Sequence, residues 1–324
     1  MNSTRLEPLV IVSAADERYI MPLAAMIKSA LTTLDTRRAV LLYVIDAGIH
    51  DEDKQRLLHS WVFDHLTVQW VQVDSRSYSH LPVWGRMRST TYARLLMPDV
   101  LPRSFHKALW LDCDLIVKRN LAEVWETDMG DHAALAVQDM VVPYVSSRHG
   151  IAPYKELGMA RDAKYFNTGV MVVNLDRWWQ HDVTSRALAY LRQYRKTVCF
   201  WDQEGLNAVL VGQWGELDPR WNQIASVSGR SFFTVEHLDQ TTYQHVVRDP
   251  WIVHFAGFWK PWIYHNQNPS RALYFRYVDM TAWAGWRPRK TVKSIIMGLY
   301  ESRFREVLYP AEKWGMALLR KGIL

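Results

Sequence analysis

The sequence predicts an α/β protein built on a doubly wound sheet, and three observations support this fold class. Short apolar segments alternate with amphipathic helical segments along the chain, which is the order of a mostly parallel sheet with right-handed crossovers. Several apolar segments are continuous rather than alternating, as is typical of strands buried on both faces. The chain of 324 residues is also 49% hydrophobic, which is enough to build a large core.

The first half of the chain contains four predicted strands separated by three predicted helices. The strand segments are short and apolar, and the helical segments have helical spacing, acids in the first turn or Ser and Thr caps. Strands are predicted over 8–14, 39–47, 66–74 and 107–117, and helices over 21–34, 51–65 and 89–102. Pro98 and Pro102 stop the last helix, because proline cannot continue a helix.

The second half adds strands and helices without an internal repeat or a low-complexity linker. Strands are predicted over 132–138, 167–175 and 251–257, and helices over 184–196 and 203–212. The clear boundary lies near residues 285–288, where a charged segment begins. We therefore expect a main domain over residues 1–285 and a tail over residues 286–324.

The cysteine count and the apolar runs indicate the compartment. The chain has two cysteines, Cys113 and Cys199, which cannot form a disulfide framework and favour a reducing compartment. Its first residues lack the apolar run of a secretory signal, and no uncharged run reaches the ~18–20 residues that span a bilayer. We expect a cytoplasmic protein that is either free or bound to the inner face of the plasma membrane.

The net charge of +6 is concentrated in residues 286–324, here called the basic tail. The tail contains nine lysines and arginines against three glutamates, so residues 1–285 are formally neutral. Apolar and aromatic residues are interleaved with these bases, as in an amphipathic helix that lies on a membrane. We expect the tail to bind an anionic membrane surface, with a helix packed on the main domain as the alternative. The neutral main body argues against nucleic acid as a partner.

Two aspartates, Asp112 and Asp114, follow the apolar run of the fourth strand. Residues i and i+2 of a strand project to the same side, so the carboxylates can converge if the chain ends or turns there. Converging carboxylates need a cation, and hard oxygen ligands suit Mg²⁺ or Mn²⁺. The same pattern at residues 51–53 opens a helix, where acids are favoured by the helix dipole. A metal site is therefore predicted at 112–114, with an acidic turn as the alternative.

Six segments of the main domain, taken in their order along the chain, carry a resemblance to a known family. They are VSAADERYIMPLAAMIKSA (12–30), RSTTYARLLMPDVLP (88–102), ALWLDCDLIVKRNLAEVWETDMGDH (108–132), YFNTGVMVVNLDRWWQHDV (165–183), WDQEGLNAVL (201–210) and HFAGFWKPW (254–262). Together these segments resemble the motifs of family 8 glycosyltransferases, a retaining group that includes bacterial lipooligosaccharide α-galactosyltransferases and is related to glycogenin. The resemblance covers nearly the whole main domain. It implies a GT-A type fold, which is a Rossmann-like, doubly wound mixed sheet, followed here by the basic amphipathic tail.

The resemblance implies a metal-dependent, retaining hexosyltransferase that moves a hexose from a UDP-sugar to a saccharide acceptor, such as a lipid-linked sugar of lipopolysaccharide or another surface glycan. It assigns the metal to Asp112, Asp114 and His254, and an imidazole beside carboxylates favours Mn²⁺, with Mg²⁺ as the alternative. Lys260 is implied to meet a phosphate oxygen of the departing nucleotide. From residue type alone, His254 could be structural and Lys260 a solvated charge.

The resemblance also implies which residues bind the nucleotide. The nucleobase end is assigned to Ala14, Ala15, Asp16 and Tyr19, where small alanines let the base approach the backbone. Arg94 is assigned to the aspartates or the diphosphate. From residue type alone, Asp16 could instead cap a helix and Arg94 could be a surface charge.

Four polar residues are implied to surround the donor sugar, namely Asp139, Asn167, Asp202 and Gln203. The catalytic pair is Asp202, which contacts the sugar, and Gln203, which lies near the reacting carbon. The alternatives are a helix N-cap for Asp202 and a turn residue before a strand for Asn167. Because a neutral amide is a poor nucleophile, we favour a same-face route over a double displacement on Gln203.

Two other classes of function remain open at this point. A nucleotidyltransferase also binds nucleotide and metal through carboxylates, but it needs a Gly-rich phosphate loop that we do not find. A non-catalytic nucleotide-sugar-binding protein is disfavoured by the intact Asp112, Asp114, His254 and Lys260.

Overall fold

The structure, a computed structural model, describes residues 6–34, 38–73, 89–225, 235, 237–257, 260–263, 268–292 and 294. The strands are β1 Leu9–Ala15, β2 Val40–Asp46, β3 Leu66–Gln72, β4 Lys107–Leu111, β5 Leu115–Val117, β6 Ala134–Gln138, β7 Phe166–Asn174, β8 Trp214–Glu216, β9 Gln223–Ile224 and β10 Ile252–His254. The helices are α1 Ile20–Thr33, α2 Asp51–Ser60, α3 Met97–Val100, α4 Leu121–Trp125, α5 Leu175–Gln180, α6 Val183–Gln193, α7 Trp201–Leu210, α8 Gln240–Arg248 and α9 Arg271–Val278.

Seven strands form one sheet in the order β3-β2-β1-β4-β7-β6-β8. The pairs among β3, β2, β1 and β4 are parallel, as is the pair β6–β8, whereas β7 runs antiparallel to both of its neighbours. The predicted doubly wound mixed sheet is therefore confirmed. The strand order reverses between β1 and β4, and ligands of open α/β sheets bind beyond the carboxyl ends of the strands at such a point.

The segment 107–117, predicted as one strand, forms two strands in two sheets, so that prediction was wrong. β4 pairs with β1 and β7, whereas β5 joins a second sheet in the order β5-β10-β9. The chain turns between them, where the Asp112 N–H donates to the Gly169 carbonyl at 2.9 Å and the Phe255 N–H donates to the Asp114 carbonyl at 3.0 Å. The turn brings both aspartates to the junction of the sheets.

The helix predicted over 89–102 is a 3₁₀ helix over Ser89–Leu96 followed by the single α-helical turn α3. Pro98 lies in the first turn of α3 and has no N–H to donate to the carbonyl of Arg94. A continuous α-helix through Pro98 would also bring the proline ring against that carbonyl. The tighter 3₁₀ turns leave Arg94 on the inner side of the segment, where it is 8% exposed.

The other predicted elements are present with shifted ends, and short elements that we did not predict join them, including α4, α5, α8, α9, β8 and β9. At the start of the basic tail the Trp286 ring stacks on Phe275, with 6.4 Å between centroids, and Arg287 forms an ion pair with Asp279 at 2.7 Å. The structure describes residues 286–292 and 294 of the tail, and the rest of the predicted amphipathic segment lies outside the described residues. Within the described part of the chain, no helix combines the length and the apolar character needed to cross a bilayer.

Candidate active site

Two predicted motifs meet at the point where the strand order reverses. β1 ends at Ala15 and β4 ends at Leu111, and these strands are parallel neighbours. Asp16 and Asp112 therefore follow adjacent strand ends on the same edge of the sheet. His254 ends β10, and it lies opposite Leu115 in the antiparallel pair β5–β10, next to Asp114.

Asp112, Asp114 and His254 form a compact group of ligands suited to a metal ion. Each offers one ligand atom, and these atoms lie within 4.8 Å of one another. His254 Nε2 is 3.4 Å from Asp114 Oδ1 and 3.8 Å from Asp112 Oδ2. Both distances are longer than that of a normal hydrogen bond. Asp114 and His254 are buried, whereas 21% of the Asp112 side chain is exposed. The spacing and the ligand types fit a divalent cation such as Mn²⁺ or Mg²⁺.

Gly169 provides the space that His254 occupies in this group. A Cβ atom at this position would lie 2.3 Å from His254 Cε1 and 2.8 Å from Nδ1, closer than such contacts occur. The imidazole therefore packs directly against the backbone of β7. Gly169 lies inside β7, where the absence of a side chain permits this close approach.

Lys260 lies beside the ligand group. Its Nζ donates to Asp114 Oδ2 and, at 2.8 Å, to the Phe255 carbonyl. Burial raises the pKa of Asp114, but Lys260 and His254 outweigh that effect and hold the pKa well below its usual range. Burial lowers the pKa of Lys260, but Asp114 outweighs this and raises it overall. Lys260 is therefore a cation that is 13% exposed and paired with Asp114, and not the solvated charge considered as its alternative.

Arg94 is the centre of a buried ionic network, so the alternative of a surface charge was wrong. Its Nη2 donates to Asp112 Oδ1 at 2.9 Å, and its Nη1 donates to the carbonyl and hydroxyl oxygens of Thr168 at 2.6 and 2.5 Å. Its Nε lies 2.6 Å from Asp202 Oδ2. Trp110 Nε1 also donates to Asp112 Oδ1, at 2.9 Å. These contacts fix the orientation of the Asp112 carboxylate.

Asp202 lies within α7 and is not its N-cap. The helix begins at Trp201 after Phe200, and no side-chain cap bond is present there. The Asp202 side chain forms an ion pair with Arg94 across the site. Burial raises the pKa of Asp202 to about 7, because the desolvation of the carboxylate exceeds the opposing effect of Arg94. Asp202 is thus an acid that titrates near neutral pH.

Gln203, Asp139 and Asn167 are brought together by mutual hydrogen bonds. Gln203 Nε2 donates to Asp139 Oδ2 at 3.1 Å, and Gln203 Oε1 accepts from the Thr168 N–H at 3.2 Å. Asn167 Nδ2 donates to the same Asp139 oxygen at 2.9 Å. Asn167 is the second residue of β7 and is buried, so the alternative of a turn residue before the strand was wrong.

The predicted nucleobase end lies at the end of β1. Asp16 is 2% exposed and accepts hydrogen bonds from the Arg18 N–H and side chain, both at 3.0 Å. It does not cap α1, because the helix follows Tyr19 without a side-chain cap bond. The Tyr19 ring meets Trp262 edge-on at 5.8 Å, and burial raises the Tyr19 pKa, with a smaller lowering effect from Lys260. Ala14 and Ala15 are the last two residues of β1.

Sequence reasoning did not identify four residues that contact the predicted site. Trp110 and Thr168 bind Arg94 or Asp112, Gly169 accommodates His254, and Asn222 lies against the His254 ring. Thr168 and Gly169 lie in the segment 165–183, which carries part of the family resemblance but from which only Asn167 was assigned to the site. Asn222 lies outside every motif that we identified, because a single buried asparagine has no sequence signature.

Comparison with known proteins places the chain among sugar transferases. The model of glycosyl transferase family 8 matches residues 10–266. The chain is 31% identical over 280 residues to general stress protein A of Bacillus subtilis, covering 86% of this chain and 95% of the relative. It is 23% identical over 315 residues to a lipopolysaccharide 1,2-glucosyltransferase of Escherichia coli K12, covering 95% and 87%.

A solved structure supports the same grouping. The galactosyltransferase LgtC, crystallised with donor and acceptor sugar analogs, matches with a TM-score of 0.73 and 25% identity. The match covers 84% of this chain and 96% of LgtC. The central, mostly parallel sheet described above therefore resembles the GT-A fold of that enzyme.

Proposed function

The chain belongs to glycosyl transferase family 8, and from this premise we propose that it is a metal-dependent, retaining hexosyltransferase that uses a UDP-sugar donor and a saccharide acceptor. The observation that supports this proposal is the group of Asp112, Asp114 and His254 at the edge of the sheet, with Lys260 beside it. Two carboxylates, an imidazole and a partly buried ammonium form a set of charges suited to a nucleoside diphosphate and its cation.

Asp112, Asp114 and His254 would hold the divalent cation, which we propose is Mn²⁺, with Mg²⁺ as the alternative. When bound, such a cation supplies Lewis-acid neutralisation of the charge that develops on the leaving diphosphate. Lys260 would donate a hydrogen bond to a phosphate oxygen in addition to its contact with Asp114. Arg94 holds Asp112 in place, so we assign it to the orientation of the ligand group.

The two ends of the donor are assigned from the position of each group along the sheet edge. Asp16, Tyr19 and the alanines at the end of β1 would bind the nucleobase. Asp139, Asn167, Asp202 and Gln203, beyond the ligand group, would bind the hexose. Both sets flank the ligand group, as a donor with a central diphosphate requires.

The contacts of Gln203 support a same-face reaction. Its amide nitrogen donates to Asp139 and its amide oxygen accepts from the Thr168 N–H, so the amide is held in one orientation. A neutral amide is a poor nucleophile, so we assign Gln203 to stabilising positive charge at the reacting carbon. The leaving phosphate oxygen would then take the proton of the acceptor hydroxyl, and the new bond would form on the face from which UDP departs.

The reaction class is tested with a panel of nucleotide sugars. We expect slow Mn²⁺-dependent hydrolysis of a UDP-hexose in the absence of acceptor and, with an acceptor, an α-linked product from an α-linked donor. The anomeric coupling in the NMR spectrum of the product reports the linkage. A β-linked product would contradict the retaining assignment, and binding without turnover would favour a non-catalytic protein. Release of pyrophosphate from UTP and a hexose 1-phosphate, measured in a separate assay, would indicate a nucleotidyltransferase.

We propose that the acceptor is a membrane-associated saccharide, as the name of the lipopolysaccharide glucosyltransferase relative suggests. The basic tail supports this, because each base near an anionic bilayer is worth about 1 kcal/mol. Deletion of residues 289–324 should sharply reduce co-sedimentation with anionic vesicles and leave UDP-sugar hydrolysis intact. Unchanged vesicle binding would contradict the anchor, and an insoluble truncated protein would favour a tail helix packed on the main domain.

A further inference from the structure

Asn222 is a buried residue in contact with His254. It is the last residue of the 3₁₀ helix Pro219–Asn222, directly before β9, and it is 1% exposed. Its Oδ1 lies 2.8 Å from His254 Nδ1, and its Nδ2 donates to Asn167 Oδ1 at 2.9 Å. The amide thus links the proposed metal ligand to the proposed sugar-binding residues.

These hydrogen bonds form a series that begins at the backbone N–H of Gly169, and the direction of each bond follows from that donor. The Gly169 N–H can only donate, and it lies 2.9 Å from one end of the Asn167 amide, which must therefore be the oxygen. The other end of that amide faces Asp139 Oδ2, an acceptor when ionised, and must be the NH₂ group. Asp139 is held in turn by the N–H groups of Val141 and Val142 at 2.7 and 2.8 Å.

The orientation of the Asn167 amide also determines which ring nitrogen of His254 carries a hydrogen. Because Asn167 presents its oxygen, Asn222 must present its NH₂ group to Asn167 and its oxygen to His254. An amide oxygen only accepts, so His254 Nδ1 must carry a hydrogen. In the neutral ring Nε2 then has the free lone pair, and Nε2 is the atom that faces Asp112 and Asp114.

We propose that Asn222 is a positioning residue that fixes His254 as the Nδ1–H tautomer, which leaves Nε2 available as a ligand for the divalent cation. This inference deepens the proposed function, since it rests on His254 as a metal ligand. Histidine ligands of metals usually donate their other N–H to an acceptor that fixes the ring. Gly169, by admitting the ring against β7, and Asn222, by accepting from Nδ1, hold it from two sides.

The tautomer can be measured directly in the full-length protein without metal. Long-range ¹H–¹⁵N NMR spectra of the imidazoles in a mildly alkaline buffer should show His254 as Nδ1–H. In Asn222→Leu the ring should shift toward Nε2–H, because the carboxylates of Asp112 and Asp114 are then the nearest acceptors. An Nε2–H tautomer in the unsubstituted protein would overturn the proposal, whatever the variants do.

Cation affinity provides the second measurement, by electron paramagnetic resonance titration with Mn²⁺ alone. Asn222→Leu should bind Mn²⁺ about 10–100-fold more weakly, the usual cost of losing a residue that orients a ligand. Asn222→Asp, which keeps an acceptor for Nδ1–H, should stay within a few-fold of the unsubstituted protein. Asn120→Ala removes an asparagine whose side chain caps α4 and should leave Mn²⁺ affinity unchanged.

The outcomes separate this inference from the proposed function. Unchanged Mn²⁺ affinity in Asn222→Leu, or equal weakening in the Leu and Asp variants, would overturn the role of Asn222. Absence of Mn²⁺ and Mg²⁺ binding in the unsubstituted protein would instead contradict the proposed metal dependence, while the NMR spectrum still reports the tautomer. If Asn222→Leu does not fold, the spectrum of the unsubstituted protein and the affinity of Asn222→Asp decide the question.

Discussion

The Asp-x-Asp pattern occurs twice in this chain, and its two copies have different surroundings. At residues 51–53 it lies in the first turn of α2, where Asp51 is 97% exposed and its carboxylate is 3.3 Å from Lys54 of the same helix. At residues 112–114 it lies between two sheets and contacts Arg94, His254 and Lys260. The first copy has local partners, and the second has partners up to 146 positions away.

This comparison shows how the same residue types acquire different roles. Acids at the start of a helix are stabilised by exposed N–H groups and by the helix dipole, and water solvates their charge. The Asp114 carboxylate, which is buried, requires positive charge or hydrogen bonds from the protein or from a bound cation. The pattern alone therefore does not predict a metal site, whereas the pattern with buried cationic and imidazole partners does.

The largest expected effect is the loss of turnover in Asp114→Asn. The substitution removes a proposed metal ligand and the partner of Lys260. The rate of Mn²⁺-dependent turnover should therefore fall by about 10³-fold or more, which corresponds to a loss of several kcal/mol of transition-state stabilisation. Asp53→Asn makes the same chemical change in the other copy and should retain full turnover. Near-normal activity of Asp114→Asn with Mn²⁺ would show that the metal assignment is wrong.

The next largest effect is a pH dependence of stability caused by Asp202. This acid is buried, as Asp114 is, but its pKa is raised and not lowered. With a folded pKa of about 7, Asp202 keeps its proton over a pH range in which the unfolded chain has lost it. The folded state thus binds more protons between about pH 4 and 7, so stability falls as pH rises through this window and levels off above it. The free energy of unfolding should decrease by an amount of order 2–4 kcal/mol across this window.

Chemical denaturation of the metal-free protein across this range tests the sign. The difference in the free energy of unfolding between the unsubstituted protein and Asp202→Asn should decrease with rising pH and then become constant. The corresponding difference for Asp53→Asn should lack that decrease between pH 5 and 7. A difference for Asp202→Asn that stays constant across this range would mean that Arg94 outweighs burial and that the Asp202 pKa is not raised.

A smaller effect is expected when the space for His254 is filled. In Gly169→Ala the new methyl group would lie 2.3 Å from His254 Cε1, so the ring must move away from the aspartates. Mn²⁺ affinity should fall about 10–100-fold, as when a ligand loses its orientation. Gly215→Ala is the matched control, because its methyl group would lie 2.6 Å from His132 at the β8 edge. If both variants bind Mn²⁺ equally well, Gly169 does not position His254.

The smallest effect is expected in the first copy itself. Asp53→Asn removes one acid from the first turn of α2, together with its contact with Arg56 at 3.1 Å. The free energy of unfolding should fall by about 0.3–1 kcal/mol, the usual worth of a charge at a helix terminus. Raising the salt concentration should reduce the difference, and a loss of several kcal/mol would show that Asp53 has a structural role beyond the helix dipole.

The sequence predicted the elements that are marked by long apolar runs, and it failed where contacts between distant segments decide the outcome. β1, β2 and α1 were predicted well because each is a largely apolar run that is buried over most of its length. The split of 107–117 was missed because both halves are apolar, and only pairing with β1 or β10 distinguishes them. The 3₁₀ helix at Ser89–Leu96 was missed because the effect of Pro98 reaches back along the chain.

The sequence by itself determined the fold class, the family and the set of residues with metal-binding chemistry, because periodicity, residue type and ordered motifs are local properties. Only the tertiary structure brought the ligand atoms of Asp112, Asp114 and His254 within 4.8 Å of one another. It also buried Arg94 and aligned Asn222 with His254. These arrangements depend on which strands pair and how they turn, and pairing energies between distant segments are not written in any short stretch of residues.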